Sequence, residues 1–325
     1  MKRRAFVAAL GSAAVAWPFK ARAQAPPVIG FLGPQSAEQW ASRVRAFKEG
    51  LAEIGFVDGR NVAIEYRWAE NRAERLPDLV AELVRQRVKV IVTGGVAGPL
   101  AAKAATTTIP IVFVSAFNPV TAGLVASFNR PGGNVTGVTS SGEELGQKRL
   151  ELLHDMTPTA RAVTLLVNPA NPIFSEAVIR DAQEAARALG FEPHVSYASA
   201  ERDFEAVFAE LASQQGGGLV IGSDGLLLSL EAKLAALALR AGVPAVFQNR
   251  EFVAAGGLMS YGASSTDVYR SSGVYAGRIL RGESPAALPV LQATQPKLFI
   301  NMKTARTLGI TVPLPLLGRA NELID

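Results

Sequence analysis

The sequence predicts an α/β fold of two doubly wound parallel-sheet lobes joined by short hinge crossings. Three observations carry this. Short runs of apolar, β-branched residues recur without polar alternation, as in strands buried on both faces. Each leads into a longer segment with helical apolar spacing. The alternation runs through two sets of similar size in a chain of 325 residues, large for one core and comfortable for two.

Val28–Leu32 opens the first set as a buried strand. Residues 37–54 follow as a helix, with Trp40, Val44, Phe47, Leu51 and Ile54 on one side and Gly55 as the stop. Next come a strand over Val62–Tyr66, a helix over 73–86, a strand over Val88–Thr93, a short helix over 97–105, and strands over Ile109–Val114 and Asn134–Val138. The second set begins with a helix over 143–156 and a strand over Ala162–Val167. Helices over 173–189, 203–213 and 226–240 then alternate with strands over Pro193–Tyr197, Leu219–Gly222 and Val243–Phe247, and Leu258–Tyr261 is one more strand. Near Thr139 and near Gly262 the chain is expected to cross between lobes. Beyond them lie a helix over Tyr269–Leu280, a strand over Leu298–Ile300 and a short helix over Thr304–Leu308, ahead of the Pro313 and Pro315 segment.

The first 23 residues are expected to be a cleaved signal peptide. Lys2, Arg3 and Arg4 form a basic start, Ala5–Trp17 is apolar but too short to span a bilayer, and Ala21-Arg22-Ala23 fits a cleavage site. Arg3-Arg4-Ala5-Phe6-Val7 resembles a twin-arginine signal, with general secretion as the alternative. The whole chain carries a formal charge of +5. Residues 1–23 hold five of its 33 Lys and Arg and none of its 28 Asp and Glu, so the remainder balances to zero. That removes the basic surface a nucleic-acid partner would need. The absence of cysteine excludes disulfides, thiolate metal sites, a cysteine nucleophile and a lipid-modified cysteine. The expected location is the periplasm, without a membrane anchor.

In open α/β sheets ligands bind beyond the carboxyl ends of strands, where helix N-termini present free N–H groups. The first-lobe tips offer Gln35, Ser36, Gly95, Ser115 and Phe117, together with Trp40 one turn into the first helix. The second-lobe tips offer Thr139, Ser140, Asn168, Asn171, Ser223, Asp224 and Tyr261. These thirteen are the candidate ligand-binding residues. The same residue types also make ordinary turns and caps. Trp40 could enter the cleft or pack on the sheet, and Asp224 could meet a ligand ammonium group or cap the following helix. A ligand carboxylate is expected to be held by hydroxyls and helix N-termini rather than by a dedicated arginine.

Signals for chemistry are weak. His154 and His194 have no metal-ligand spacing, and a solvated or capping role suits each. There is no G-x-S-x-G nucleophile elbow, no G-x-x-x-x-G-K-[ST] phosphate loop, and no G-x-G-x-x-G after the first strand. No catalytic residue, metal or cofactor is expected.

Four runs give the chain a family likeness. They are Ile64-Glu65-Tyr66-Arg67-Trp68-Ala69-Glu70 with Arg75-Leu76-Pro77; Asn118-Pro119-Val120 leading into Arg130-Pro131-Gly132-Gly133-Asn134-Val135-Thr136-Gly137; Arg250-Glu251-Phe252-Val253 with Gly256-Gly257-Leu258-Met259-Ser260-Tyr261-Gly262; and Asn301-Met302-Lys303-Thr304-Ala305 with Leu308-Gly309. With these the chain resembles the ABC transporter substrate-binding family, whose members have a type I periplasmic-binding-protein fold. The resemblance implies three chain crossings, a first lobe of 27–138 plus 263–289, and a second of 139–262 plus 290–325. It also implies ligands among small organic solutes, aromatic amino acids and aromatic acids included. Asn118 stands where an Asp is common, Leu291 and Ala293 replace a usual Glu and Pro, and Phe247-Gln248-Asn249 departs from the family pattern.

The function expected from the sequence is therefore a periplasmic solute-binding component of an ABC importer. It would take an amino acid or aromatic-acid-like solute into the interlobe cleft by hinge closure, and act as a monomer. Its partners would be the small-molecule ligand and the permease subunits in the inner membrane. The alternatives are a ligand-sensing partner of a periplasmic receptor and a periplasmic α/β enzyme.

Overall fold

The computed structural model describes residues 25–140, 143–160, 162–170, 172–190, 193–214, 217–293 and 295–325. The expected signal peptide and Asn171 lie outside them. The first lobe opens with β1 (Val28–Gly33), α1 (Ala41–Glu53), β2 (Ala63–Trp68), α2 (Leu76–Arg85), β3 (Val90–Gly94), α3 (Ala97–Ala105), β4 (Ile111–Ser115) and β5 (Val135–Thr139). The second follows with α4 (Glu143–Met156), β6 (Ala162–Val167), α5 (Pro172–Leu189), β7 (His194–Tyr197), α6 (Phe204–Ser213), β8 (Gly217–Ile221), α7 (Gly225–Ser229), α8 (Glu231–Arg240), β9 (Ala245–Phe247), α9 (Arg250–Ala254) and β10 (Met259–Gly262). The chain ends with α10 (Ser265–Leu280), β11 (Leu291–Gln292), β12 (Lys297–Asn301), α11 (Met302–Thr307), α12 (Leu314–Arg319) and β13 (Glu322–Ile324).

Two sheets result. The first has the order β11-β5-β4-β3-β1-β2 and is parallel throughout. The second has the order β13-β12-β10-β9-β8-β6-β7 and is parallel except where β12 runs against β10. In each sheet the opening strand lies inside the second, so the direction of winding reverses between β1 and β3 and again between β6 and β8. Those reversals leave crevices at the carboxyl ends of the strands.

Strand periodicity builds the cores. Along β3, Val90 and Val92 join Ile29, Phe31, Phe47 and Tyr275 on one face. Ile91 joins Leu32, Leu83, Ile111 and Phe113 on the other. The second sheet is covered likewise, by Leu150, Leu153 and Ala186 on one face and Phe208, Leu234 and Phe252 on the other. Each large apolar side chain removed from water contributes about 1.5–3 kcal/mol, and two-sided burial explains why the strands read as unbroken apolar runs.

The chain passes between sheets three times: after Thr139 of β5, after Gly262 of β10, and between β11 and β12. Helix α10 returns to the first lobe and lies against α1 without side chains at the closest point. A Cβ on Gly50 would stand 1.8 Å from the Arg270 carbonyl oxygen, and one on Gly273 would stand 2.1 Å from that of Phe47.

Three sequence expectations need correction. Strand β11 pairs with β5 in the first sheet, whereas residues from 290 onward were assigned to the second lobe. The single helix expected over 226–240 is two helices. Leu230 leaves the helical region (φ −117°, ψ 21°), and the Ser229 hydroxyl turns back to the Leu226 carbonyl at 2.8 Å, a side-chain bond that competes with helix continuation. Helices α9 and α12 and strand β13 were not anticipated. In α12, Pro315 occupies the first turn, where its missing N–H costs nothing.

Candidate functional site

A cavity of about 340 Å³ opens between the two lobes at both winding reversals. This is within the range of about 300–1,000 Å³ usual for small-molecule sites. Pro34, Gln35 and Gly95 from the tips of β1 and β3 face Gly222 and Ser223 from the tip of β8. The residues just before α3 and the first turns of α4 and α10 also reach it, through Val96, Leu145 and Ser265.

The first-lobe wall is aromatic. Trp40 is buried and lies edge-to-face with Tyr269 of α10, ring centroids 5.2 Å apart at 74°. It is also edge-on to Phe31 at 5.9 Å. The indole N–H donates to Gln35 Oε1, and the Arg43 guanidinium stands 5.8 Å from the Trp40 ring centroid. Trp40 therefore packs on the sheet and lines the cavity at once. Gly94 makes this possible: a Cβ there would come within 2.0 Å of the Tyr269 hydroxyl and 2.8 Å of the Trp40 ring. Burial pushes the Tyr269 phenol's pKa up, with Arg43 opposing, so the phenol stays neutral.

The lobes touch through two glutamines. Gln35 Nε2 donates to the Gly225 carbonyl and Gln39 Nε2 to that of Ser229, each at 3.4 Å. Both acceptors belong to α7, at its first and last residues. The helix break at Leu230 thus stands beside a contact with the other lobe.

Charged groups also reach the cavity. Two arginines line the cavity, Arg43 from the first lobe and Arg149 from α4, together with Asp181. Arg149 is buried, and its Nε donates to the Tyr261 carbonyl at 2.8 Å. Burial pushes its pKa down to about 10, which leaves it charged at neutral pH. At the rim, the Asn249 amide donates to Glu231 at 3.2 Å and the Ser265 hydroxyl to Glu251 at 3.3 Å. Burial, then the neighbouring Glu251 carboxylate, push the Glu231 carboxyl up to about 7, while Arg43 and the Asn249 bond act the other way.

Of the thirteen candidates, Gln35, Trp40, Gly95, Ser115, Phe117, Ser140 and Ser223 line the cavity. Ser36, Thr139, Asn168, Asp224 and Tyr261 do not. Ser36 bonds Gln39 within its own turn, and the Thr139 hydroxyl donates to the Phe117 carbonyl at 3.1 Å. Asp224 Oδ1 accepts from the Leu226 N–H at 2.8 Å and from Asn168 at 2.9 Å, which makes it a helix cap held by a neighbour. The Tyr261 side chain packs on the second-lobe core. Asn118 does reach the cavity, but its Oδ1 accepts from the Val120 and Thr121 N–H groups, in the manner of an Asx turn.

Sequence reasoning missed Arg149 and Tyr269 as cavity residues, whereas Gln248 and Asn249, which it left out of the thirteen, stand at a strand tip and line the cavity. A signal existed for Arg149. It precedes Leu152 and Leu153 by three and four residues and so shares a helix face with them, an arginine on a stripe that is otherwise apolar. No helix among the described residues is long and apolar enough to cross a membrane, and no cluster of His, Asp and Glu there could hold a metal ion.

Comparison with known proteins gives consistent matches. The family model described as ABC transporter substrate binding protein matches residues 33–324. A "Tyrosine-binding protein" of Clostridioides difficile (strain R20291) is 25% identical over 266 residues, which is 82% of this chain and 76% of that protein. Among solved structures, an ABC domain in complex with L-Trp from Streptococcus pneumonia is 24% identical with a TM-score of 0.83, covering 92% of this chain and 100% of that one. A ligand-free, open substrate-binding protein from Clostridium difficile is 23% identical with a TM-score of 0.70, covering 92% and 99%.

Proposed function

Because the chain belongs to the ABC transporter substrate-binding protein family and has the type I periplasmic-binding-protein fold, we propose that it is the periplasmic capture component of an importer. It binds a small organic solute between its lobes, an amino acid or an aromatic-acid-like molecule, and presents the closed form to a permease. The carrying observation is the cavity of about 340 Å³, walled by both lobes at both winding reversals. A solute there contacts both lobes and so shifts the population toward closure about the three crossings. The glutamine contacts to α7 and the greater likeness to the L-Trp complex than to the open structure support reading the present arrangement as closed. The named ligands of the relatives, tyrosine and L-Trp, support the solute class.

Thermal unfolding against amino acids, aromatic acids, nucleosides and sugars tests this. A true ligand at about 100 times its dissociation constant stabilises by roughly 2.7 kcal/mol. A cooperative melt that no compound moves, from protein carrying no copurified small molecule, would sink the reading. Export is tested separately by sequencing the N-terminus of protein recovered from the periplasm, expected at Gln24.

A further inference from the structure

We propose that Arg149 selects the charge of the ligand: the cavity takes an organic carboxylate, its anionic group on Arg149 of the second lobe and its flat apolar body on the first-lobe wall. The proposal rests on the solute-binding reading, whose amino-acid and aromatic-acid ligands carry a carboxylate, and adds the residue that holds that group.

Arg149 is buried, with 7% of its surface exposed, and lines the cavity. Among the described residues its side chain makes one hydrogen bond, from Nε to the Tyr261 carbonyl. Among the described residues no carboxylate pairs with it. A guanidinium carries five N–H donors in a planar fork, so one bond leaves most of its capacity unspent. A charge taken out of water without a counter-ion is strongly unfavourable. An arginine held in that condition on the wall of a cavity is complementary to an anion that enters from outside. The carboxylate is the natural match, because its two oxygens accept the fork in parallel.

The other charged lining groups do not remove this asymmetry. Arg43 adds a second positive charge and stands over Trp40. Asp181 also lines the cavity but forms no ion pair with Arg149. On the far side, Trp40, Tyr269, Val96 and Phe117 make an apolar wall suited to a ring. The bond to Tyr261 aims the arginine from the strand that leads to the second crossing, so an anion on Arg149 sits beside a hinge. The ligand then bridges a cation on one lobe and an aromatic wall on the other.

The test uses matched pairs that differ only at the acid: 3-phenylpropionate and its amide, 4-hydroxyphenylacetate and its amide, L-tyrosine and L-tyrosinamide. Affinities are measured by calorimetry on the wild-type protein, Arg149→Lys and Arg149→Met. At least one acid is expected to bind the wild type about 10- to 100-fold more tightly than its amide, as for a hydrogen bond to a charged group. Arg149→Met should lose that preference, and Arg149→Lys should keep part of it. If Arg149→Met does not fold, the wild-type pairs and Arg149→Lys still decide. Equal binding of acid and amide by the wild type, or a preference that survives in Arg149→Met, would overturn the proposal. So would binding of neutral sugars or nucleosides alone, although the solute-binding reading would then stand. Failure of every compound to bind would overturn both.

Discussion

Gln35 spans the cleft: its Nε2 donates to the Gly225 carbonyl of the second lobe at 3.4 Å, and its Oε1 accepts the indole N–H of Trp40 in the first. One side chain therefore couples the aromatic wall to the opposite lobe. Gln35→Leu should have two effects. It leaves the buried Trp40 donor without a partner, at a cost of about 1–3 kcal/mol in stability. It also removes a contact between the lobes, so ligand affinity should fall by about 2- to 10-fold. Urea unfolding and calorimetry with any compound that raises the melting temperature would check the two separately.

Asp224 caps α7, its Oδ1 accepting from the Leu226 N–H at 2.8 Å. Asp224→Ala should cost about 1 kcal/mol of stability and leave solute affinity unchanged. A loss of affinity beyond about 3-fold, without a matching loss of stability, would show that the carboxylate meets the ligand. Asp224→Asn serves as control, since it keeps an oxygen for the Leu226 N–H.

Glu231 predicts a pH dependence. Its folded pKa is about 7, raised from 4.5 first by burial and then by Glu251. Between those values the native protein holds a proton that the unfolded chain has released, so stability falls as pH rises through this window. The contribution is fully present below about pH 4.5 and is lost above about pH 7, at most about 3 kcal/mol. Glu231→Gln should therefore be more stable than the wild type at pH 8 and no more stable at pH 4.5, as read by chemical denaturation at both.

Gly94 should resist any side chain. A methyl group at this position meets the Tyr269 hydroxyl and the Trp40 ring, so Gly94→Ala should destabilise by about 1–3 kcal/mol and weaken solute binding together with it. Tyr269→Phe removes the hydroxyl that stands nearest. Combined with Gly94→Ala it should recover part of the loss, which a double-mutant cycle measures.

The fold was largely legible because two-sided burial leaves an unmistakable trace. Val90, Ile91 and Val92 can all be apolar only if both faces of β3 are covered. The break at Leu230 was not legible, because a continuous Leu and Ala pattern suits one long helix as well as two, and the contacts beside the break come from the other lobe. The five-residue helix α9 is too short for a period to show. At the site, strand tips pointed to Gln35, Gly95 and Ser223, since chain reversal puts such residues at the crevice whatever their identity. Tyr269 and Arg149 come from helices, where an aromatic reads as core and a cation as surface. Only the meeting of two lobes gives either of them another role.

The contact of α1 with α10 also bears on how the molecule is made. Glu53 and Arg270 are bonded although 217 residues separate them, and the second lobe lies between. Until synthesis has passed α10, the face of α1 that carries Ala46, Phe47 and Leu51 has no cover from that helix. The first lobe is thus begun early and finished late, after the five second-sheet strands β6 to β10 have been made, and its closure has the slow character of a contact distant in sequence. A fragment ending at Thr139 would have every strand of the first sheet except β11 and still expose the groove where α10 belongs. The lobes are two bodies in the finished molecule, yet the first cannot be completed on its own.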